Sequence, residues 1–263
     1  MLIDVVTVVL NDEQGLVRTW HSLESQSFIH WRWIVCDGGS RGKTVDFLKS
    51  LGSRVHWVNE PDRGIYDAMN RGVGMCAGDY VIFMNAGDTF FNNNNLAMVA
   101  ERVSDIEPSV PDILFGGAMF HFPNGREVYR PPKRVERYLW HGLPANHQAT
   151  LYRRVVLGAN PYDLQYNICG DYYIDAKLCR KGATVLYLDM PLTRFEIGGT
   201  SYNRRRQLFV EAYRIQRDVL GVPLLLRIVS ACKRLAAMAG HFVLSQPILQ
   251  KRKLWGNLGM PSK

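Results

Sequence analysis

Apolar and polar positions follow two rhythms along the first third of the chain. Val5 to Leu10 is a run of β-branched and apolar residues that Asn11-Asp12 ends, and Leu16, Thr19-Trp20 and Leu23 then recur at helical spacing. Trp33-Ile-Val-Cys36 predicts a second strand, stopped by Asp37-Gly38-Gly39-Ser40. A helix is expected from Thr44, with Val45, Phe47-Leu48 and Leu51 apolar, and Val55-His-Trp-Val58 gives a third strand. Glu60-Pro-Asp-Arg-Gly-Ile-Tyr-Asp-Ala-Met-Asn-Arg-Gly72 reads as a turn and then a helix from about Ile65. Val81-Ile-Phe-Met84 reads as a strand covered on both faces. Strands and helices at such short intervals predict βαβ units, hence an α/β fold with a mostly parallel sheet flanked by helices.

After Asp88 the rhythm loosens. Asn92-Asn-Asn-Asn95 is a turn cluster and Leu96 to Val103 a helix; Asp112-Ile-Leu-Phe115 and Ala118-Met-Phe-His-Phe122 read as strands, with Pro123-Asn-Gly125 as a hairpin turn. Arg130 to Trp140, basic and aromatic around Pro131-Pro132, is expected to be an exposed loop. His147-Gln148 precede a strand, Ala149-Thr-Leu-Tyr152. Gly170-Asp171 opens a helix through about Arg180 with Ile174, Ala176 and Leu178 inward, and Val185-Leu-Tyr-Leu188 is the last strand. Gly198-Gly199-Thr200-Ser201 reads as a flexible break before a tail.

Composition narrows the class. A chain of 263 residues that is 47% hydrophobic and 21% charged can bury a substantial core, which argues against extensive disorder. The net charge of +8 is segregated: residues 1–203 hold 20 Lys/Arg against 22 Asp/Glu, and residues 204–263 hold 12 against 2. Such a tail implies an anionic surface as its partner, either membrane or nucleic acid. Five cysteines without a C-x-x-C pair favour reduced thiols in a cytosolic protein over a disulfide framework or zinc site. Met1 to Leu10 lacks a basic leader and has Asp4 within its apolar run, so a first strand is expected there, not a signal peptide. No charge-free apolar run reaches the roughly eighteen residues needed to span a bilayer.

Two motif-like stretches fail on chemistry. Asp37-Gly-Gly-Ser-Arg-Gly-Lys-Thr44 would be a phosphate-binding loop only if residue 37 were glycine, and a carboxylate there would repel phosphate. Gly72-Val-Gly-Met-Cys-Ala77 has dinucleotide-fingerprint lettering but ends a helix before a strand, the reverse of the required order. Asp37 is then free to accept hydrogen bonds from a base or ribose, with Gly38 letting a flat ligand approach; it can equally cap a turn. Asp88 follows Gly87 beyond the carboxyl end of a strand, where ligands bind in open α/β sheets, or it caps the next segment. Asp62-Arg63-Gly64 precedes a helix start, and Arg63 and Arg71 would suit a diphosphate; the alternative is an ordinary surface helix. Tyr66 and Asn70 share one face of that helix, while Ile65, Met69 and Gly72 are expected to face the sheet. Asp171, with Asp175 one turn on, is a general base or a charge complementing the helix dipole. His147 is an acceptor contact or a packed side chain.

Taken together and in order, Asp37-Gly-Gly-Ser40, Glu60 to Gly72, Gly78-Asp-Tyr80, Asn85-Ala-Gly-Asp88, His147-Gln148, Gly170-Asp-Tyr172 and Gly198-Gly199 resemble the inverting family 2 glycosyltransferases of the GT-A fold. The match is closest to a bacterial subgroup found in colanic-acid, O-antigen and capsule clusters, and it covers roughly residues 1–220. The resemblance implies a Rossmann-like GT-A domain over 1–203, its nucleotide-sugar half about 1–90 and its acceptor half about 91–203. Asp37, Gly38 and Asp62 would hold the nucleotide, joined by Arg63, Gly64, Asn70, Arg71 and Asn85. Asp88 would take the metal-binding place of the D-x-D motif with Mn²⁺ or Mg²⁺, and Asp171 would be the catalytic base. His147 and Gln148 would meet the acceptor, a polyprenyl-diphosphate-linked saccharide. Two departures stand out: Asn85-Ala-Gly-Asp88 supplies one certain carboxylate where the motif has two, and Arg41 and Lys43 follow Asp37 where relatives commonly have an acid.

The tail, 204–263, is expected to be a basic amphipathic helix. Arg227, Arg234 and His241 are seven apart with Ser230 and Lys233 beside them, a polar edge against a broad apolar face; Lys251-Arg-Lys253 and Trp255 add an interfacial cluster. A membrane-surface tail suits a cytoplasmic enzyme, peripheral at the inner face of the cell membrane, with a lipid-linked acceptor. The alternative is a helix packed on the catalytic domain. No nucleic-acid partner is expected, since no RNA-recognition or zinc-finger signature is present.

Overall fold

β1 (Ile3–Val9) runs through the middle of the first half of the sheet, and all seven of its residues are buried. It pairs in parallel with β2 (Trp31–Asp37) on one side and β4 (Tyr80–Phe83) on the other, and β2 pairs in parallel with β3 (His56–Asn59). The computed structural model describes residues 1–106, 108–122, 125–196 and 204–244. Side chains alternate across the pleat. Ile3, Val5, Trp33 and Val35 meet α1 (Glu13–Glu24) and α2 (Lys43–Leu51) through Leu16, Trp20, Leu23 and Leu48. Val6, Val8, Ile34 and Cys36 meet α3 (Ile65–Met75) through Ala68, Met69 and Val73. α3 lies so close to β1 that a Cβ on Gly72 would stand 2.5 Å from Val6 Cγ1. Asp4, fully buried in β1, is held by Arg32 at 2.7 and 2.9 Å and by the N–H groups of Ala77 and Gly78 at 2.7 and 2.6 Å. Those bonds are what make a buried carboxylate tolerable there.

The register aligns Val9 with Asp37, and Asp37 with Asn59, so the carboxyl ends of these strands share one rim. Beyond β4 the sheet becomes mixed. β8 (Thr150–Arg153) pairs antiparallel with β4 and with β6 (Ile113–His121); β6 pairs in parallel with β9 (Val185–Glu196) and forms a hairpin with β7 (Glu127–Arg130). β5 (Thr89–Phe90) closes the order β3-β2-β1-β4-β8-β6-β9-β5 among the described residues. The expected α/β class with flanking helices is the observed one.

Several details differ from expectation. The two strands expected at 112–122 are one, bent where the register with β9 shifts at Gly116 and Gly117. Leu192 fills the space there, since a Cβ on Gly116 would lie 2.3 Å from its Cδ1. β9 runs on past Leu188 to Glu196, because the bulge absorbs Pro191, which reads as a breaker in sequence. Pro123 and Asn124 of the expected turn, and the expected break at 198–201, lie outside the described residues. The 130–140 segment is not wholly an exposed loop: it contains α5 (Val135–Tyr138), and Leu139 is buried.

Packing also continues across the boundary expected at residue 204. α7 (Gly170–Arg180) sends Ile174 and Leu178 to the sheet core and Tyr172 and Ala176 to a separate core with Ala212 and Ile215. Ala212 belongs to α8 (Arg205–Arg214), and Ile215 begins the π-turn Ile215–Val219 that follows it. α9 (Leu224–Leu244) docks on the preceding helices through the polar edge expected of it. Ser230 is buried between His141 Nδ1 and Gln216 Nε2 at 2.8 Å each, Arg227 donates to the Tyr213 hydroxyl at 3.0 Å, and Arg234 donates to the His141 carbonyl. The polar edge therefore faces protein. Leu224, Leu225, Leu226, Ile228, Val229 and Leu235 point outward, with Leu225 72% exposed. No helix among the described residues is long and apolar enough to cross a membrane. Lys251 to Lys253 and Trp255 lie outside them.

Candidate active site

Two turns abut at the rim: a Cβ on Gly38 would stand 2.5 Å from Asp62 Oδ2. Asp37 fastens one to the other. Its Oδ1 accepts from the Ser40 N–H at 2.9 Å and its Oδ2 from Asn59 Nδ2 at 2.8 Å. The side chain is fully buried, so the expected direct contact to a base or ribose is corrected: Asp37 shapes the turn beside Gly38. Asp62 stays half-buried at the rim and accepts from the Gly64 N–H at 2.9 Å. Gly64, with φ +127°, starts α3, a conformation only glycine adopts without strain.

The α3 residues divide differently from expectation. Arg63 turns outward onto Asp67, Nη2 to Oδ1 at 2.7 Å, and Arg71 donates to the carbonyls of Glu60 and Pro61 at 3.1 and 3.3 Å. Both guanidiniums are therefore engaged with the protein, one on the helix and one bracing the turn. Asn70 is not a ligand contact: its amide exchanges two bonds of 2.9 Å with the main chain of Tyr162. Ile65 is exposed instead of facing the sheet, and Tyr66 takes the buried place.

Asp171 lies in the first turn of α7, half-buried, with Oδ1 accepting from the Tyr172 N–H at 2.7 Å. Burial pushes its carboxyl up to about 6, against the pull of main-chain N–H groups. That is a suitable value for a base working near neutrality. The helix start is pressed against α3: a Cβ on Gly170 would stand 2.8 Å from the Tyr66 ring, and the Tyr66 hydroxyl donates to the Ile168 carbonyl at 2.9 Å. Asp171 thus sits against the first turn of α3, the helix that the Asp62 turn leads into.

Behind this contact lies a buried polar chain. Tyr152 donates to Asp175 Oδ1 at 2.7 Å, His147 Nδ1 lies 3.3 Å from the Tyr152 hydroxyl, and Nε2 lies 2.7 Å from the Tyr162 hydroxyl. With the Tyr152 proton spent on Asp175, Nδ1 carries the ring hydrogen and Nε2 accepts. Burial lowers the His147 pKa to about 3 and holds Asp175 well above the usual carboxylate range; Asp175 Oδ2 is buried without a partner, as befits a poor anion. His147, stacked on Phe83 at 5.1 Å, is thus corrected from acceptor contact to packing hub. Gln148 is buried beside it.

The Asn85–Asp88 turn is tied to α1. Thr19 donates to the Asp88 carbonyl at 2.9 Å, and Gly87 donates to the Gly15 carbonyl at 3.0 Å. Asp88 Oδ2 accepts from the Asn85 N–H at 3.1 Å, while Asn85 Oδ1 is buried without a hydrogen-bond partner. An orphaned amide oxygen beside a carboxylate is a hard-donor pair that fits Mg²⁺ or Mn²⁺. No three His, Cys, Asp or Glu side chains cluster for a metal among the described residues, so the remaining ligands would be water and diphosphate oxygens.

Tyr162 and Glu211 are not singled out by the sequence, and Tyr66 is placed there only as sharing a helix face with Asn70. Aromatic side chains carry no chemical flag, and Glu211 stood out only as one of two acids in a basic tail.

A family model described as glycosyl transferase family 2 matches residues 4–158. The chain is 30% identical over 207 residues to a PGL/p-HBAD biosynthesis glycosyltransferase of Mycobacterium bovis, covering 76% of this chain and 79% of that protein. Its fold resembles S. aureus TarS 1–349 in complex with UDP, with TM-score 0.63 and 17% identity over 88% of this chain and 68% of that one. Against a longer TarS structure the chain spans 39% of the length. The mannosyltransferase PcManGT of Pyrobaculum calidifontis, in complex with GDP-Man and Mn²⁺, gives TM-score 0.61 and 15% identity over 90% and 75% of the two chains.

Proposed function

This chain belongs to glycosyl transferase family 2, and we propose that it moves a sugar from a UDP- or GDP-sugar to a lipid-linked saccharide with inversion at the anomeric carbon. The observation that carries the reading is Asp171: a carboxylate raised to about 6, fixed by its own helix start, which packs on Tyr66 in the first turn of α3. Asp171 accepts the proton of an acceptor hydroxyl as that oxygen bonds to the anomeric carbon. The bond from that carbon to the diphosphate breaks, and its electron pair leaves with the nucleoside diphosphate. Attack from the face opposite the leaving group inverts the centre. Asp62 and the N–H groups at the start of α3 orient the nucleotide and its phosphates. Asp88 and Asn85 would hold a divalent cation, whose chemistry there would be to offset negative charge on the leaving diphosphate.

The outward aliphatic face of α9 supports an acceptor held at a membrane, and such a surface suits a polyprenyl-linked substrate at the cytoplasmic leaflet. The polar edge of α9 is spent on protein contacts, which weakens the case for nucleic acid as the tail's partner. The test is a panel of UDP- and GDP-sugars, with and without Mn²⁺, scored by thermal shift and then by nucleoside diphosphate release. One nucleotide family raising Tm and turning over supports the reading; no donor binding in any combination overturns it.

A further inference from the structure

Three consecutive main-chain N–H groups converge on one carboxylate. Glu211 Oε1 accepts from Asn167 at 3.0 Å, and Oε2 accepts from Ile168 and Cys169 at 2.9 Å each. Gln207, one turn back on α8, donates to Oε1 at 2.9 Å. Glu211 is 3% exposed, and a carboxylate that deep is tolerable only because these four donors satisfy it. α7 has no side-chain cap of its own at Cys169. Its lead-in is held instead by a residue more than forty positions downstream.

Asp171 follows this clamped segment directly. Its Oδ1 is oriented by the Tyr172 N–H of the same helix start, and Gly170 is pressed against Tyr66. We infer that Glu211 is a positioning residue for Asp171: the C-terminal helices, through one carboxylate, set where the base sits. The inference rests on the reading of Asp171 as the base.

The Glu211 charge gives this positioning a second readout. Burial is the largest influence raising Asp171, and the Glu211 charge adds to it. Other titratable groups face Asp171 from each packed element: Tyr66 on α3, Tyr152 on β8, Tyr162 in the loop before α7, and Cys169 and Asp175 on its own segment. Arg234 on α9 faces Cys169 and Glu211 faces it from α8. Of these, Glu211 is the acid that α8 contributes. A side chain that merely stabilised the fold would shift Tm and leave the titration of Asp171 alone.

The experiment uses the full chain with ¹³C-carboxyl aspartate, Asp171 being identified by the signal lost in Asp171→Asn. In Glu211→Gln, which keeps an acceptor for the N–H groups and removes the charge, the Asp171 midpoint should move down by about half a pH unit. With UDP-GlcNAc or GDP-mannose, whichever releases nucleoside diphosphate, kcat at the pH plateau should fall several-fold with donor KM unchanged. Glu211→Asp keeps the charge and should keep the midpoint near wild type while kcat falls, and it carries the test if Glu211→Gln does not fold. An unchanged midpoint and plateau in Glu211→Gln, with Asp171→Asn inactive, overturns the inference alone. Wild-type turnover in Asp171→Asn overturns the base reading and this inference with it.

Discussion

Asn70 and Tyr162 exchange two hydrogen bonds of 2.9 Å across ninety-two residues of sequence, amide to main chain in both directions. The pair welds α3 to the loop that leads into α7. Stacking of Tyr66 on Tyr162, with ring centroids 5.0 Å apart, reinforces the same seam.

Asn70→Ala strands a buried N–H and a buried carbonyl at once. It should cost about 3 kcal/mol in chemical denaturation, and the loss should exceed that of Arg63→Ala, whose partner is a surface acid. Equal effects would remove the seam from the account.

Asp171→Asn should lower turnover by about 10²- to 10⁴-fold while donor affinity holds. In the wild type the base works ionised, so kcat should fall tenfold per pH unit below about 6. Stability runs the other way. The folded-state pKa lies above the unfolded one, so the native protein binds the extra proton between about 4 and 6, and ionisation above that window weakens the fold. Asp171→Asn should therefore be more stable than wild type at pH 7.5, by on the order of 1–2 kcal/mol after allowance for its solvent-facing edge. The gain should vanish near pH 4, and denaturation curves at both pH values decide it.

His147 is held neutral down to about pH 3, below its unfolded value near 6.5. The unfolded chain takes up the proton first, so this group withdraws stability as pH falls below 6.5, at up to about 1.4 kcal/mol per unit. His147→Gln should be less stable than wild type at pH 7.5, with the difference shrinking at pH 5.5. A constant difference would mean the imidazole is open to solvent.

The face of α9 makes a prediction about lipid. Leu225→Glu combined with Ile228→Glu should cut co-sedimentation with vesicles of phosphatidylethanolamine and phosphatidylglycerol at least about tenfold, with donor binding and Tm unchanged. Equal partitioning of variant and parent would dismiss the membrane role of this face.

The first half of the sheet was legible because its strands are apolar runs ended by Asp, Gly and Pro, and because helical spacing in α1 to α3 puts one stripe on the sheet. Asp88 and Asp171 could be chosen because they follow glycine at element ends. What could not be read was direction. Asp37 and Asn70 look like ligand contacts in sequence, yet both are consumed by neighbouring main chain or amides. The charge spacing of α9 was visible, but which edge met protein depended on how the chain turns back at Tyr213 and Gln216 and on His141, eighty-nine residues before Ser230. β9 was cut short because a proline inside a strand reads as an end until a bulge is seen to accommodate it.

The strand order carries a consequence for how the chain assembles during synthesis. β3, β2, β1 and β4 lie within the first eighty-three residues, so this half can pair from local contacts while the rest is still being made. β4 then waits with one edge bare until β8 arrives some seventy residues later, and β8 must settle between β4 and β6. Slow steps and misfolded aggregates should originate from that uncovered edge, and a ribosome-stalled fragment ending just before β8 is where a chaperone would bind most persistently.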